Sequence, residues 1–275
     1  MTAQRRSLLL ITIVLLFAAF FWLFPFAWSV IASLKSDSEF YVNIWRLPER
    51  AVWQNYTNAF SGLDYPLTIG NTLYVAAASA LLQCVTGALA AFAFARMRFP
   101  GRDLLFTLFL ATLMIPGTVT LTSSFLILAR FNWIDTYAAL IVPHAASGFA
   151  IFLLRQFFMT IPTELEEAAH LDGAGRLRFL WSIVLPLSRP ALTTVFVFIF
   201  ISTYNAFLWP LVVTSSERLR VIQIALSIFS DSIDGGSTAG GQLLAASVLT
   251  MLPTIILFMI FQNAFIRGIT RTGLK

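Results

Sequence analysis

The sequence predicts an all-α membrane protein with six transmembrane helices in a single domain, residues 1–275. The chain is 58% hydrophobic and only 11% charged, and its mean hydropathy is +0.82. About a quarter of the residues in a soluble domain are charged, so this composition excludes an ordinary soluble fold. Helices are expected because a lone strand cannot satisfy its backbone hydrogen bonds in lipid, and the alternating pattern of a membrane barrel is absent.

Six stretches of the chain contain no Asp, Glu, Lys or Arg. Each reaches the roughly 20 residues that a helix needs to cross about 30 Å of hydrocarbon, although the fourth only just does. The helices predicted from these stretches cover residues 8–32, 70–95, 104–128, 137–155, 190–213 and 243–266. The first begins like a secretory signal, but its apolar run is about twice as long as a signal core and no convincing cleavage site follows. We therefore expect this helix to be retained.

The positive charges predict the orientation of the chain. If the N-terminus is cytoplasmic, twelve of the 18 Lys and Arg residues lie in cytoplasmic segments. This bias predicts a multi-pass protein of the cell (inner) membrane with both termini in the cytoplasm. The net charge of +5 then reflects membrane topology and contact with lipid, and it does not indicate a nucleic-acid partner.

Two segments between the predicted helices have structure of their own. Residues 35–64 are too long for a turn and are expected to lie against the outer face of the bundle. Within residues 217–234, apolar residues repeat at helical spacing, which indicates a short amphipathic helix at the outer rim. The residues of that repeat are Leu219, Ile222, Leu226 and Phe229.

The chain lacks the sequence motifs of an active site. There is no phosphate-binding loop, no His-Glu-x-x-His motif and no Cys pair, since Cys84 is alone. We expect no catalytic residue, no metal site and no cofactor in this chain. The predicted spans also lack the ionisable residues of a proton relay, which counts against the alternative interpretation, an autonomous secondary transporter or channel subunit.

Neutral polar residues in the spans are candidates for a substrate pathway. Hydroxyls, amides and aromatic rings suit neutral, hydroxyl-rich solutes because they exchange hydrogen bonds without burying a charge. They also serve ordinary helix packing, since Ser and Thr bond to carbonyls of their own helix. The candidates are Thr120, Thr122, Ser123, Tyr204, Asn205 and Trp209. The single His of the spans, His144, is expected to be a packing residue.

The cytoplasmic segment 156–189 holds a polar stretch, "TELEEAAHLDGAGRLRFLWSIVLPLSRP" from Thr163 to Pro190. Thr163 and Glu166 have the spacing of a capping box, which predicts a helix over residues 164–171 that ends at Asp172-Gly173. A second amphipathic helix is expected to follow and to end at Pro186 and Pro190. Leu177, Leu180, Trp181 and Val184 are expected along one side of it. From physics alone, the segment is either a solvated loop that caps the bundle or a docking element for another protein.

The same stretch resembles a known motif. Glu167-Ala168-Ala169, Gly173, Ile183 and Leu185-Pro186 match the pattern E-A-A-x3-G-x9-I-x-L-P at every fixed position. This pattern is similar to the cytoplasmic EAA loop of ABC importer permeases. Other stretches, such as "FARMRFPGR" and "FLLRQFFMTIPTELEEAAHLDGA", are similar to the carbohydrate-uptake class, which includes maltose and glycerol-phosphate permeases. The chain resembles the smaller, six-helix subunit of that class.

The resemblance implies a type I ABC importer fold and a set of partners. A second permease subunit would complete a heterodimeric pore, an ATPase dimer with ATP and Mg would dock beneath, and an extracytoplasmic binding protein would deliver the substrate. The cargo would be a carbohydrate or a related polyol or glycerol-phosphate compound. The residues implied in coupling to the ATPase are Glu166, Glu167, Ala168, Ala169, Asp172, Gly173, Ile183, Leu185 and Pro186.

Overall fold

The computed structural model describes the backbone of residues 3–234 and 240–270. All regular secondary structure in these two ranges is helical, which confirms the predicted all-α class. The first helices are α1 (Ala3–Ala32), α2 (Asp37–Val42), α3 (Gln54–Gly62), α4 (Tyr65–Arg96), α5 (Arg102–Thr112), α6 (Gly117–Arg130), α7 (Tyr137–Ile141) and α8 (Gly148–Met159). The others are α9 (Glu164–Leu171), α10 (Arg176–Phe179), α11 (Leu185–Leu187), α12 (Arg189–Tyr204), α13 (Leu208–Val213), α14 (Ile222–Asp234) and α15 (Gly240–Thr270).

Three helices of the described chain, α1, α4 and α15, are long and apolar enough to cross a membrane unbroken. Three more spans are bent pairs of helices. The pairs are α5 with α6 at 99°, α7 and its short extension with α8 at 45°, and the helical run Arg176–Leu187 with α12 at 78°. The predicted number of six spans is reached when each bent pair counts as one.

Proline explains why two predicted spans are not straight helices. Pro116 precedes α6 in an extended conformation, with ψ at 131°, and its ring disfavours the helical region for the residue before it. Pro143 lies in the short 3-10 turn Val142–His144 between α7 and α8. Ser147 then starts α8 as its N-cap, because its side chain accepts a hydrogen bond from the backbone of Ala150 at 3.3 Å.

The chain divides into two compact units. The first comprises Met1–Tyr65 and Ala225–Leu252, and the second comprises Pro66–Ile224 and Pro253–Lys275. The first contains the long segment 35–64 and the second contains the EAA-like stretch.

A buried lysine organises the first unit. Lys35 is 1% exposed, and its Nζ donates to the carbonyls of Asn43 at 3.0 Å and Ile44 at 2.7 Å. The amide of Asn55 donates in turn to the carbonyl of Lys35 at 2.8 Å. A Cβ on Gly241 would lie 2.5 Å from that same carbonyl, so only glycine fits there. Residues 35–64 are therefore an ordered element of the fold and not a loose loop.

Small residues bring the helices of the second unit together. Ala76, Ala80 and Ala91 of α4 are fully buried, and a Cβ on Gly87 would lie 2.9 Å from the Cβ of Ala150 on α8. Such residues let helix backbones approach closely where lipid offers no hydrophobic drive for association. Near the start of α4, Val75 joins residues of α6, α7 and α13 in a buried cluster of Val75, Leu128, Ala139, Leu140 and Val213.

Candidate functional site

The EAA-like stretch folds as a short helix that ends in a glycine turn. Helix α9 spans Glu164–Leu171, which confirms the predicted range 164–171. The chain then turns at Gly173 with φ at +74°, a conformation that favours glycine. The N–H of Gly173 bonds to the carbonyl of His170 at 3.0 Å, and the N–H of Ala174 bonds to that of Ala169 at 2.8 Å. These two bonds form a Schellman motif, so Gly173 has a conformational reason to be glycine.

The predicted capping box at the start of α9 is wrong. Thr163 is already helical, with φ at −69° and ψ at −25°, and its side chain makes no capping bond. Its carbonyl instead accepts the N–H groups of Glu166 at 2.9 Å and Glu167 at 3.0 Å. The side chain of Glu166 is engaged with an arginine outside the helix.

That arginine, Arg96, anchors α9 to the membrane-spanning part of the chain. It is the last residue of α4, and its side chain is 6% exposed. The guanidinium lies 3.4 Å from the carboxylate of Glu166 and donates to the carbonyls of Phe158, at 2.7 Å, and Ile161. A planar, permanently charged fork can hold several acceptors at once, so one side chain ties three segments together.

The anchor leaves one face of α9 directed away from the chain. Ala169 is 6% exposed and Glu166 is partly covered, so they form the inner face. Positions 164, 167, 168 and 171 lie on the opposite side of a helix with 3.6 residues per turn. All four are exposed, and Leu171 is 90% exposed. We call Glu164, Glu167, Ala168 and Leu171 the outward face. Ala168 and Ala169 were both implied in coupling, but the structure leaves only Ala168 on the outward face. Leu171 was not among the implied coupling residues.

The helical run after the glycine turn contains a wide turn. Leu180–Val184 form a π-helical turn in which the N–H of Leu185 bonds to the carbonyl of Leu180. Leu180 and Val184 are buried, whereas Leu177 is 65% and Trp181 58% exposed. The side that these four residues were predicted to share is therefore only half covered: Leu180 and Val184 pack against the chain, and Leu177 and Trp181 are exposed.

The run ends at Leu187, between Pro186 and Pro190, in agreement with the prediction. The chain bends at the buried Ser188, whose N–H bonds to the carbonyls of Val184 and Leu185. Ile183 and Leu185 are half-buried and Pro186 is exposed. These three motif residues therefore belong to the run behind α9 and not to its outward face.

The second unit also contains an open-sided cavity of about 540 Å³. Its walls come from α4, from the α7–α8 connection, from α12 and from α13. The lining residues with a polar side chain are Thr72, Gln83, His144, Ser147, Ser202, Thr203 and Trp209. The remaining wall is apolar, with Phe149 and Phe198 as its largest side chains.

Of the six pathway candidates, the structure places only Trp209 at this cavity. Its indole N–H donates to the carbonyl of Ala139 at 3.0 Å, and its ring meets that of His144 edge to face with centroids 5.3 Å apart. Tyr204 is 1% exposed, and Asn205 donates to the carbonyl of Ile201 on its own helix. These observations give Tyr204 and Asn205 a role in the packing of the chain.

The other three candidates, Thr120, Thr122 and Ser123, are exposed on α6 and do not line the cavity. The hydroxyl of Thr120 bonds to Gly117 of its own helix. Gln83 lines the cavity but was not among the candidates predicted from the sequence. A signal was available, because Gln83 is an amide within the small-residue run of α4.

An aspartate fixes the loops at one end of the second unit. One carboxylate oxygen of Asp135 accepts the N–H of Ser215, the N–H of Ser216 and the hydroxyl of Ser216, each at 3.0 Å. These hydrogen bonds favour the charged form and hold the pKa of Asp135 below its usual range, with the backbone bonds from Ser216 and Ser215 as the largest causes. Within the described residues, no group of three His, Cys, Asp or Glu could hold a metal ion.

Residues 83–271 match the family described as the binding-protein-dependent transport system inner membrane component. The chain belongs to this family. It is therefore a multi-pass permease of the inner membrane and a subunit of a binding-protein-dependent ABC importer.

Curated relatives of this permease share about a third of its residues over most of the chain. It is 36% identical to the sn-glycerol-3-phosphate transport system permease protein UgpE of Yersinia enterocolitica serotype O:8 over 278 residues, which cover 98% of each chain. It is also 36% identical to the protein of the same name from Rhizobium meliloti (strain 1021), over 90% of this chain and 91% of the relative.

Solved structures confirm the importer-permease fold. A chain of a bacterial ABC transporter involved in the import of the acidic polysaccharide alginate matches with a TM-score of 0.82 and 22% identity, over 96% of this permease and 99% of that chain. A chain of the alginate transporter in complex with its alginate pentasaccharide-bound periplasmic protein matches with a TM-score of 0.63 and 18% identity, over 94% and 93% of the two chains.

The family also decides between the interpretations of the sequence. Its members are membrane components of transport systems and not enzymes, in agreement with the prediction for this permease. The alternative, an autonomous secondary transporter or channel subunit, is not supported, because the family works with a binding protein.

Proposed function

We propose that this permease imports a carbohydrate or a related polyol or glycerol-phosphate compound and is driven by a separate ATPase through α9. The observation that carries the proposal is the arrangement of α9: Arg96 anchors its inner face, while its outward face ends in a leucine that is 90% exposed. An exposed apolar side chain of this size on a short, fixed helix suits insertion into a groove of a partner protein.

The remaining coupling residues lie where α9 ends and on the helical run that follows it. Helix α9 ends at Leu171, Asp172 forms its C-cap, and the chain turns at Gly173. Ile183, Leu185 and Pro186 lie on the helical run that leads into the bend at Ser188 and then into α12. A movement of α9 would therefore reach a membrane span along the chain through the run Arg176–Leu187.

The proposed assembly follows from the role of a permease without a nucleotide site. Two ATPase subunits with ATP and Mg would bind on the cytoplasmic side, a second permease subunit would complete the pore, and the binding protein would dock on the opposite side. Both termini of this chain would be cytoplasmic, as the distribution of positive charge suggests. Closure of the ATPase dimer would move α9, and the pore would alternate between outward-open and inward-open states.

The cargo class rests on two kinds of support. The names of the curated relatives specify transport of sn-glycerol-3-phosphate, and the solved neighbours belong to an importer of alginate. The cavity of the second unit is lined by an amide, hydroxyls and aromatic rings, which suit a solute rich in hydroxyl groups.

The test compares two substitutions on α9 in the assembled importer. Leu171→Asp places a charge on the outward face and should abolish coupling, so that uptake and substrate-stimulated ATP hydrolysis both fall to background. His170→Asp introduces the same side chain at the neighbouring exposed position, to the side of the outward face, and should retain most of the uptake. Membrane levels of the permease are compared by immunoblot for both variants. Uptake at the wild-type rate in Leu171→Asp would contradict the docking assignment.

A further inference from the structure

Several polar side chains that line the cavity of the second unit make no hydrogen bond to the residues that the structure describes. Gln83 lines the cavity and is only 7% exposed, yet its side-chain amide makes no hydrogen bond to any residue that the structure describes. The hydroxyls of Ser202 and Thr203, which line the same cavity, also have no hydrogen bond within the described ranges. Gln83 is buried except toward the cavity, Thr203 is half-buried and Ser202 is exposed, so the free hydrogen-bonding capacity of all three is directed to whatever fills the cavity, a solute or water.

The aromatic wall of the cavity is fixed in advance. The indole N–H of Trp209 is occupied by the carbonyl of Ala139, so the ring cannot turn to offer its donor to a solute. The edge contact with His144 restrains it from another direction. The ring of Trp209 therefore presents its apolar surface to the cavity, which suits the C–H groups of a sugar ring or a polyol chain.

The lack of charged side chains among the described lining residues favours a neutral cargo over an anionic one. None of the described lining residues is Asp, Glu, Lys or Arg. A phosphate ester would bring a negative charge into this wall without a cation to pair with it, and an unpaired charge in an apolar environment is strongly unfavourable. A neutral polyhydroxyl solute would instead satisfy the free amide and hydroxyls and rest on the ring of Trp209.

We propose that this cavity is a subsite for a neutral polyhydroxyl solute, with Gln83 as a specificity-determining residue that hydrogen-bonds to its hydroxyl groups. This inference rests on the proposed importer function and narrows it. The cargo is an uncharged saccharide or polyol in preference to a phosphate ester, although the curated relatives are named for a phosphate ester.

The test uses the complete importer in liposomes, with its binding protein and ATP. The neutral probes are radiolabelled maltose, trehalose and glycerol, and the anionic probe is radiolabelled sn-glycerol-3-phosphate. We expect ATP-dependent uptake of at least one neutral probe to exceed that of the anionic probe. Gln83→Leu should lower that uptake about tenfold, which corresponds to about 1.4 kcal/mol, while binding-protein-stimulated ATP hydrolysis stays within about twofold. Gln83→Asn, which keeps the amide, should recover part of the uptake.

A matched control lies one turn away on the same helix. Ser79 is 1% exposed and does not line the cavity, so Ser79→Ala removes a buried hydroxyl of α4 without touching the subsite. Its uptake should equal that of the wild type.

Three results would overturn the inference while the importer function stands. They are preferred uptake of sn-glycerol-3-phosphate, unchanged uptake in Gln83→Leu, or equal losses in Gln83→Leu and Ser79→Ala. Absence of binding-protein-dependent uptake of every probe by the wild-type complex would overturn both proposals.

Discussion

Arg96→Met should destabilise this permease far more than removal of its charged partner does. The substitution keeps an unbranched side chain of similar length but removes every donor of the guanidinium. The carbonyls of Phe158 and Ile161 then lose a charged donor in a site where Arg96 is 6% exposed. The carbonyl of Phe158 keeps the N–H of Ile161, whereas the carbonyl of Ile161 is left unpaired, which costs about 1 to 3 kcal/mol. The ion pair with Glu166 is lost as well, so we expect a cost of about 3 kcal/mol in all.

Glu166→Gln is the matched comparison, because it removes only the ion pair. Glu166 is 24% exposed and the pair is 3.4 Å long, so water replaces part of the interaction. Arg96 keeps both carbonyl acceptors in this variant. We expect a cost of about 0.5 to 1 kcal/mol, because the side-chain oxygen of glutamine can still accept a hydrogen bond from Arg96.

Thermal unfolding of the purified complex in detergent measures both variants. A loss of 1 kcal/mol lowers Tm by about 2 °C in a chain of this size. Arg96→Met should therefore lower Tm by about 6 °C and Glu166→Gln by no more than about 2 °C. Equal shifts in the two variants would refute the reasoning, because they would show that the ion pair and not the carbonyl contacts holds α9.

Three further predictions concern single residues elsewhere in the chain. Gly173→Val should lower the free energy of unfolding by about 1 to 2 kcal/mol and reduce coupled uptake, because valine cannot easily adopt φ of +74°. The control Gly175→Val, at φ of −70°, should have little effect on either. The hydrogen bonds from Ser216 to the charged carboxylate of Asp135 stabilise the protein above the ordinary pKa of Asp135, and this stabilisation is lost as pH falls through the lowered pKa. Asp135→Asn should therefore reduce Tm at pH 7, and the Tm of this variant should decline less steeply in acid. Lys35→Met should leave the carbonyl of Ile44 unpaired and remove one of the two donors to the carbonyl of Asn43, which keeps the N–H of Arg46. Proteolysis within residues 35–64 of the folded complex should increase, and unchanged cleavage would contradict the role of Lys35.

The sequence was sufficient for the spans because lipid imposes a simple rule on composition. Helices of the predicted number and approximate place exist because charged residues are excluded from the hydrocarbon. Proline within a span is a signal for a kink, but the sequence does not tell which prolines break the helix. The chain bends at Pro116 and Pro143, whereas Pro25 and Pro253 lie inside unbroken helices, because the outcome depends on neighbouring packing.

The coupling segment could be located from the sequence, but not the direction of its side chains. Local signals, such as acids in the first turn and Asp172-Gly173 at the end, were enough for the bounds of α9. Which face is covered depends on Arg96, which is 70 residues away from Glu166 along the chain. No pattern within α9 itself contains that information, so the separation of Ala168 from Ala169 required the structure.

The cavity was the least predictable feature for the same reason. Gln83, His144 and Trp209 come from three separate parts of the chain, and each alone has an ordinary packing explanation. Only their position around one cavity, with the amide of Gln83 unpaired among the described residues, distinguishes them from Thr120 or Asn205.

Photo-crosslinking from the outward face of α9 tests the central claim most directly. A photoreactive amino acid is placed at position 171 in the assembled importer, and a second sample carries it at position 177, where Leu177 is also exposed. The account predicts a covalent adduct between position 171 and the ATPase subunit, and no comparable adduct from position 177. An ATPase adduct that is absent from position 171, or equally strong from both positions, would contradict the claim that α9 is the docking element.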